Sequence, residues 1–307
     1  MYQSSVVLGD GWRKFLPTDA TAIHWYDTKA FRRLVYAYIG AAERGGRDLP
    51  LREFVRQFRG LGLNAPAKLI CDAFPNVRHL SDLTNRDEEI IRLHKAMKVA
   101  TKPPSENVLG LIGRDHLVAN LDRRYGVKRS WYQKVADQIN DVPFVFEIAI
   151  AETERPGRLS SGVNFSPSFE DPFAGTMLES KHVEGTGLTG LLHALHAYPK
   201  RYAFTTGTGH KLAIAAHLIW PGIQVLDRGK TRVVIPQKMA DQIADAVWKA
   251  AKTLYQEEAR KRDAARAERA ERQRQREVPQ YNLRRSVFAV LPKAVEKGTD
   301  GGRLPIR

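Results

Sequence analysis

The sequence predicts an α+β protein: a small all-helical module, then an α/β layer domain, then a long C-terminal helix. Three observations carry this expectation. Between about residues 25 and 80 the apolar residues recur at helical spacing. Beyond "TKPPSENV" two strand-like runs, "PFVFEIAIAET" and "KLAIAAHLIW", are separated by the helical "GLTGLLHALHAY", which is the pattern of strands layered with helices. From Pro236 onward one helix-favouring stretch runs past Arg276.

Taken in order, residues 1–24 read as an extended entry segment. In "DTKAFRRLVYAYIGAAER" Asp27 is placed to cap a helix whose stripe is Phe31, Leu34, Val35, Tyr38 and Ile39. "GGRDLP" stops it. "LREFVRQFRGLGLNAPAKLICDAF" then gives a helix bearing Leu51, Phe54, Val55 and Phe58, a glycine-rich turn, and a further short helix, so residues 25–80 form a compact helical domain. Residues 81–255 are assigned to the second domain. It opens with the helix "SDLTNRDEEIIRLHKAMKVA", capped by Thr84 with acids in its first turn. Two successive prolines, Pro103 and Pro104, end that helix. Then come a helix in "LIGRDHLVANLDRRYG", the "PFVFEIAIAET" strand, "GVNFSPSFEDPF" as a short edge strand with a turn at Gly162, a helix, "KLAIAAHLIW" and "TRVVI".

The last helix has two halves. "QKMADQIADAVWKAAKTLY" turns Ile243, Ala246, Val247, Ala250 and Leu254 toward a core. Residues 256–277, "QEEARKRDAARAERAERQRQRE", lose every large apolar side chain and read as a solvated stalk. Pro279 is expected to end the helix. Residues 278–307 hold one short amphipathic helix, a possible docking element, and a glycine-rich tail.

The formal charge of +15 and pI near 9.9 over 307 residues point to polyanion partners, nucleic acid first. Cys71 is the single cysteine, which excludes a disulfide framework and a thiolate zinc cluster. Its apolar surroundings predict a buried, inert thiol. No secretory signal opens the sequence, and no apolar run approaches the ~20 residues that cross a bilayer. A cytoplasmic, nucleoid-associated protein without a membrane partner is expected.

Motif by motif, the chemistry is sparse. "GTGHK" lacks the phosphate-loop spacing and precedes a strand, so it reads as a turn. His193 and His196 stand three apart on a helix with no third ligand near them in sequence. The serines have no nucleophile frame, and Glu170 and Asp171 read as backbone caps. "YPKRY" is different: Lys200 and Arg201 between tyrosines can neutralise phosphates and pack on sugars or bases, although a surface Lys-Arg pair is also ordinary. In "LDRGKTR", Lys230 sits in a loop between strands, where it is either a solvated hairpin lysine or a cation reaching another domain.

Together these pieces, over about residues 25 to 255 or three-quarters of the chain, resemble the B subunit of DNA topoisomerase VI, a type IIB topoisomerase. "FRRLVYAYI…LREFVRQFRGLGLNAPAKLICDAF" resembles that family's helix-two-turns-helix (H2TH) domain. "MKVATKPPSENVLGLIGRDHLVANL" is similar to the Lys-Pro-Pro segment and Ile-Gly helix that open its transducer domain, a ribosomal protein S5 domain 2-like fold. "PFVFEIAIAET" matches its central Pro-Phe-hydrophobic-Glu strand. "YPKRY" resembles its Trp-Lys-x-Tyr element, with Pro199 where the tryptophan stands, and "KLAIAAHLIW…RGKTRVVI" its lysine-bearing strand and loop.

The resemblance implies that Lys230 senses the ATP γ-phosphate of a neighbouring domain. It implies that Lys200, Arg201 and Tyr202, with Arg56, Arg59 and Lys68 of the helical module, hold duplex DNA. It further implies partners: a GHKL ATPase domain and a protein like the A subunit of topoisomerase VI. The ATPase motifs are absent before residue 25, and so are the cleavage tyrosine and magnesium-binding acids of that DNA-cleaving component. No cofactor is therefore expected on this chain alone; ATP and Mg2+ belong to the complete assembly. The chain would be a non-catalytic part of an ATP-hydrolysing topoisomerase, coupling ATP-driven closure to strand passage. At ~1.5 Å per residue, a helix of roughly 40 residues gives it a lever of about 60 Å. The alternative is a stand-alone DNA-binding adaptor or scaffold.

Overall fold

The computed structural model describes residues 13–14, 19–168, 170–179, 189–196, 211–226 and 232–298. The chain divides into two compact units, Met1–Ala251 and Lys252–Arg307. The fold is mixed α/β, with one five-stranded sheet and a long C-terminal helix.

In the first unit a two-residue strand β1 (Arg13–Lys14) precedes the helices α1 (Thr28–Glu43), α2 (Leu51–Arg56), α3 (Asn64–Asp72) and α4 (Asp87–Val99). Asp27 caps α1 as its position predicts, its Oδ1 accepting from Ala30 N at 2.6 Å. The four-residue spacing of Phe31, Val35 and Ile39 buries one stripe of α1. Phe31 stacks on the His94 ring of α4 at 4.7 Å and meets Phe54 and Phe58 at 5.9 and 6.2 Å. Asp87 fastens the two helices from outside the core, accepting from Arg32 Nε at 3.1 Å and Tyr36 OH at 2.8 Å.

This helical core runs from Ile23 to Met97, so α4 packs with the helices before residue 80. Thr84 does not cap α4. It closes a short 3-10 turn, Leu80–Leu83, and its hydroxyl donates to Ser81 O, while α4 starts at Asp87 with three acids in its first turn. Cys71 is half-buried, and burial raises its thiol pKa.

After α4 come β2 (Gly110–Leu111, paired with β1), α5 (Arg114–Tyr125), β3 (Val127–Ile139), β4 (Val142–Thr153), β5 (Leu159–Val163), β6 (Ser166–Ser168), α6 (Gly190–His196), β7 (Leu212–Ile219), β8 (Gln224–Val225), β9 (Val233–Val234) and α7 (Gln237–Gly298). The main sheet has the order β3-β4-β7-β5-β6; only β5 and β7 are parallel. The interior strand β4 is buried from Pro143 to Ala151. On one face α5 lays Leu117 and Leu121 over Ala149, Ala151, Ala213 and Ala215, alanines that let the helix approach closely.

Two strand pairs are closed by two-residue turns in which both residues are left-handed: Asn140–Asp141 between β3 and β4, and Asn164–Phe165 between β5 and β6. "GVNFSPS" is therefore part of a hairpin, and Phe165 lies in its turn instead of alternating along a single edge strand. Asparagine accepts that backbone readily. The phenylalanine does so because its ring packs with Val108, Leu109, Val145 and Ile219.

α7 begins in the first unit, where it buries Met239, Ile243, Ala246, Val247 and Ala250. Its first turn is tied to the end of β3. Lys238 Nζ lies 2.8 Å from Asp137 Oδ2, and Gln242 Nε2 donates to the same oxygen at 2.6 Å. These two hydrogen bonds hold the Asp137 carboxyl down at a pKa of about 2.

In the second unit α7 continues to Gly298, so Pro279 does not end it. Proline removes one donor, and the Gln275 carbonyl that loses it sits on an exposed stretch where the helix need not stop.

Candidate functional site

Of the expected site residues, Lys200, Arg201, Tyr202 and Lys230 lie outside the described residues. Arg56, Arg59 and Lys68 are described, and all three side chains are exposed: Arg56 ends α2, Arg59 lies in the glycine turn and Lys68 is on α3. The cause is the burial of their neighbours. Phe54, Val55, Phe58 and Leu61 fix α2 and the turn from below, and Ala67 and Ile70 fix α3, so the intervening positions face outward. Gly60 takes φ +83° to make the turn. Arg56 reaches across it, Nε donating to Gly62 O at 3.0 Å, and Arg59 N donates to Thr21 O at 2.9 Å. A fourth cation belongs to this group, and no sequence motif singles it out: Arg52 Nη2 donates to Asn64 Oδ1 at 3.3 Å, spanning α2 to the start of α3. The Gly60–Gly62 turn is the signal that could have drawn attention to it.

The sheet holds a buried polar centre. Glu147 of β4 is fully buried, and its carboxylate accepts from Ile112 N, Gly113 N and Tyr132 OH, each at 2.8 Å. Three donors satisfy one carboxylate, which is how a buried charge is tolerated. Burial, then the neighbouring Glu147 charge, raises the Tyr132 pKa. Gly113 is at φ +87° and caps α5, so Glu147 sets where that helix begins.

Across the strand pair, His217 is also buried, and its Nε2 accepts from Phe165 N at 2.9 Å. That bond places the ring proton on Nδ1, and burial depresses the ring to about 4. Asn164 closes the same turn, its Oδ1 accepting from Trp220 N at 2.8 Å and its Nδ2 donating to Trp220 O at 3.0 Å.

A cleft of about 380 Å³ lies between α5 and the β5–β7 edge, lined by His116, Asn120, Arg124, Ser160, Gly162 and His217 among others. Its one buried imidazole has its lone pair committed to Phe165 N, so it is no free general base. The acids nearby serve the backbone. Asp171 accepts from Phe173 N and Leu191 N, and Glu179 accepts from Gly175 N and Gly190 N, which fixes the start of α6. Burial raises Asp171 to about 6. Among the described residues no group of three histidine, cysteine or acidic side chains could hold a metal ion, and no helix is long and apolar enough to cross a membrane.

No protein-family model matches the chain, and no curated protein matches it. Among solved structures, the 43K ATPase domain of Thermus thermophilus gyrase B in complex with an aminocoumarin is similar at 12% identity, over 50% of this chain and 45% of that one, with a TM-score of 0.27. The chain thus spans less than half of that neighbour. Likeness at this level carries no argument about function.

Proposed function

We propose that this chain is the H2TH and transducer portion of an assembly like topoisomerase VI, corresponding to part of its B subunit. In this reading it binds duplex DNA through exposed cations and couples closure of a GHKL ATPase domain to a DNA-cleaving protein like the A subunit. The observation that carries the reading is the contact between two motifs on which the resemblance rests. Ile112 and Gly113 of the Ile-Gly helix lie 35 and 34 residues before Glu147 of the Pro-Phe-hydrophobic-Glu strand, and both of their amides donate to that one carboxylate. A helix seated on a sheet by a buried ion is a rigid joint, suited to passing displacement between domains. The exposed Arg52, Arg56, Arg59 and Lys68 add a surface that meets phosphates without reading bases.

The test is a titration of the full chain with duplex DNA of two unrelated sequences across a salt series. Equal affinities that fall steeply with salt are expected. Absence of binding at low ionic strength would refute the DNA role. For the coupling role, the chain is mixed with a GHKL ATPase domain and a DNA-cleaving protein of the A-subunit type, and ATP-dependent strand passage is measured. Lys230→Ala should abolish it; strand passage that survives the change removes Lys230 as the nucleotide sensor.

A further inference from the structure

The second unit carries an ordered charge pattern that the reading above leaves unused. Arg266, Arg269, Gln273, Arg276 and Arg284 lie on α7 at successive spacings of three, four, three and eight residues. At 3.6 residues per turn these positions fall within about 80° of one another around the helix. All five are exposed.

Two acids of this stretch are engaged away from the stripe, Glu268 accepting from Arg272 at 2.5 Å and Glu271 from Gln275 at 3.4 Å, while Glu277 accepts from Gln273 of the stripe itself at 2.9 Å. Among the described residues, Arg266, Arg269, Arg276 and Arg284 have no ion-pair partner. Glu257, Glu268 and Glu271 fall on the opposite side of the wheel, while Asp263 and Glu277 flank the stripe. Other cations, Arg260, Arg274 and Arg285, fall outside it.

We propose that this arginine face docks along the phosphate backbone of duplex DNA. Charge complementarity argues for the partner, and what the helix lacks narrows it. Residues 256–277 contain no large apolar side chain, so from Arg266 to Arg276 this face has nothing to bury in a lipid interface or an apolar groove; exposed Tyr281 and Leu283 flank it only near Arg284. Guanidinium groups bind phosphate oxygens in pairs, and Gln273 between them adds no repulsion while its amide holds the flanking Glu277. From Arg266 to Arg284 the helix rises about 27 Å, the length of about eight base-pair steps. The proposal rests on the DNA-binding reading above and extends it to a second, sequence-independent contact.

The experiment compares the full chain with the variant carrying Arg266→Gln, Arg269→Gln, Arg276→Gln and Arg284→Gln, following duplex binding by fluorescence anisotropy from low to moderate salt. Glutamine keeps helix propensity close to that of arginine, and far-ultraviolet dichroism verifies that the helix persists. The plot of log affinity against log salt should become shallower by about 3 to 4, at about 0.9 for each phosphate no longer neutralised. The off-stripe pair Arg260→Gln and Arg274→Gln should change it by less than half as much. An unchanged slope in the quadruple variant, or an equal loss per residue in the off-stripe pair, overturns the proposal. So does stripe-dependent binding to poly-glutamate or to anionic vesicles with none to DNA. If the unaltered chain binds no DNA at low salt, the broader reading fails with it; if it binds and only the stripe is silent, the stripe alone fails.

Discussion

Glu147 and His217 are directly opposed across the β4–β7 pair, and each spends its buried side chain on a turn brought in from elsewhere in the chain. Glu147 holds the Ile112-Gly113 amides that start α5, and His217 holds the Phe165 amide in the β5–β6 hairpin. The centre of the sheet thus fixes one helix and one edge through two adjacent residues.

Replacing Glu147 by glutamine keeps the shape but sets an amide NH2 among three donors. Stability should fall by about 3 kcal/mol, because buried donors lose their acceptor. Urea unfolding monitored by tryptophan fluorescence measures this, and a decrease below about 1 kcal/mol would show that the carboxylate is dispensable.

His217 and Asp171 should impose opposite pH slopes. The folded-state pKa of His217 is depressed to about 4 from an ordinary 6.5, so its contribution is present above pH 6.5 and is lost as the pH falls through 4. Its full size is about 3 kcal/mol. Asp171 is raised from 3.8 to about 6, so its contribution is present below 3.8 and is lost as the pH rises through 6. His217→Gln, which retains an acceptor for Phe165 N, should flatten the acid loss between pH 6.5 and 4, while Asp171→Asn should steepen it. Denaturation midpoints at half-unit pH intervals separate the two.

The hairpin tolerates little. A Cβ at Gly162 would lie 2.7 Å from Ser166 O, a backbone atom that can yield only if the hairpin opens. Gly162→Ala is expected to destabilise by about 2 kcal/mol. Asn164→Gly keeps the left-handed turn but removes both bonds to Trp220, at about 1–3 kcal/mol. Chemical denaturation of each variant gives the numbers.

On the helical module, Arg56→Gln, Arg59→Gln and Lys68→Gln together should leave the melting temperature within about a degree or two, since all three side chains are exposed. The salt slope of DNA binding should become shallower by about 2 to 3. An unchanged slope would move the DNA contact off these helices.

The helices with deep apolar stripes are legible in the sequence. Phe31, Val35 and Ile39 sit where their spacing puts them, and the runs around Phe146 and Ile214 are the two buried strands. The 13-residue β3 is not legible, because it is a half-exposed edge where Lys128, Lys134 and Asp137 interrupt any alternation. Its one strong signal is the Asn140–Asp141 pair, a two-residue turn between β-forming runs. Phe165 misleads for a related reason: an aromatic between polar residues reads as a strand position, and only the packing of its ring and the His217 bond explain a left-handed backbone there. The roles of Glu147 and His217 depend on cross-strand register, which no local pattern records.

The strand order has a consequence for how the protein is made. β7 lies between β4 and β5, yet it leaves the ribosome after both. Until Leu212–Ile219 has been synthesised, β3–β4 and β5–β6 are separate hairpins, and β4 presents the unpaired amides and carbonyls of an apolar run along one edge. Sheet closure waits for contacts of long sequence separation, which slows folding. Nascent chains halted before residue 212 are the species most exposed to aggregation, and the ones a chaperone has most reason to hold.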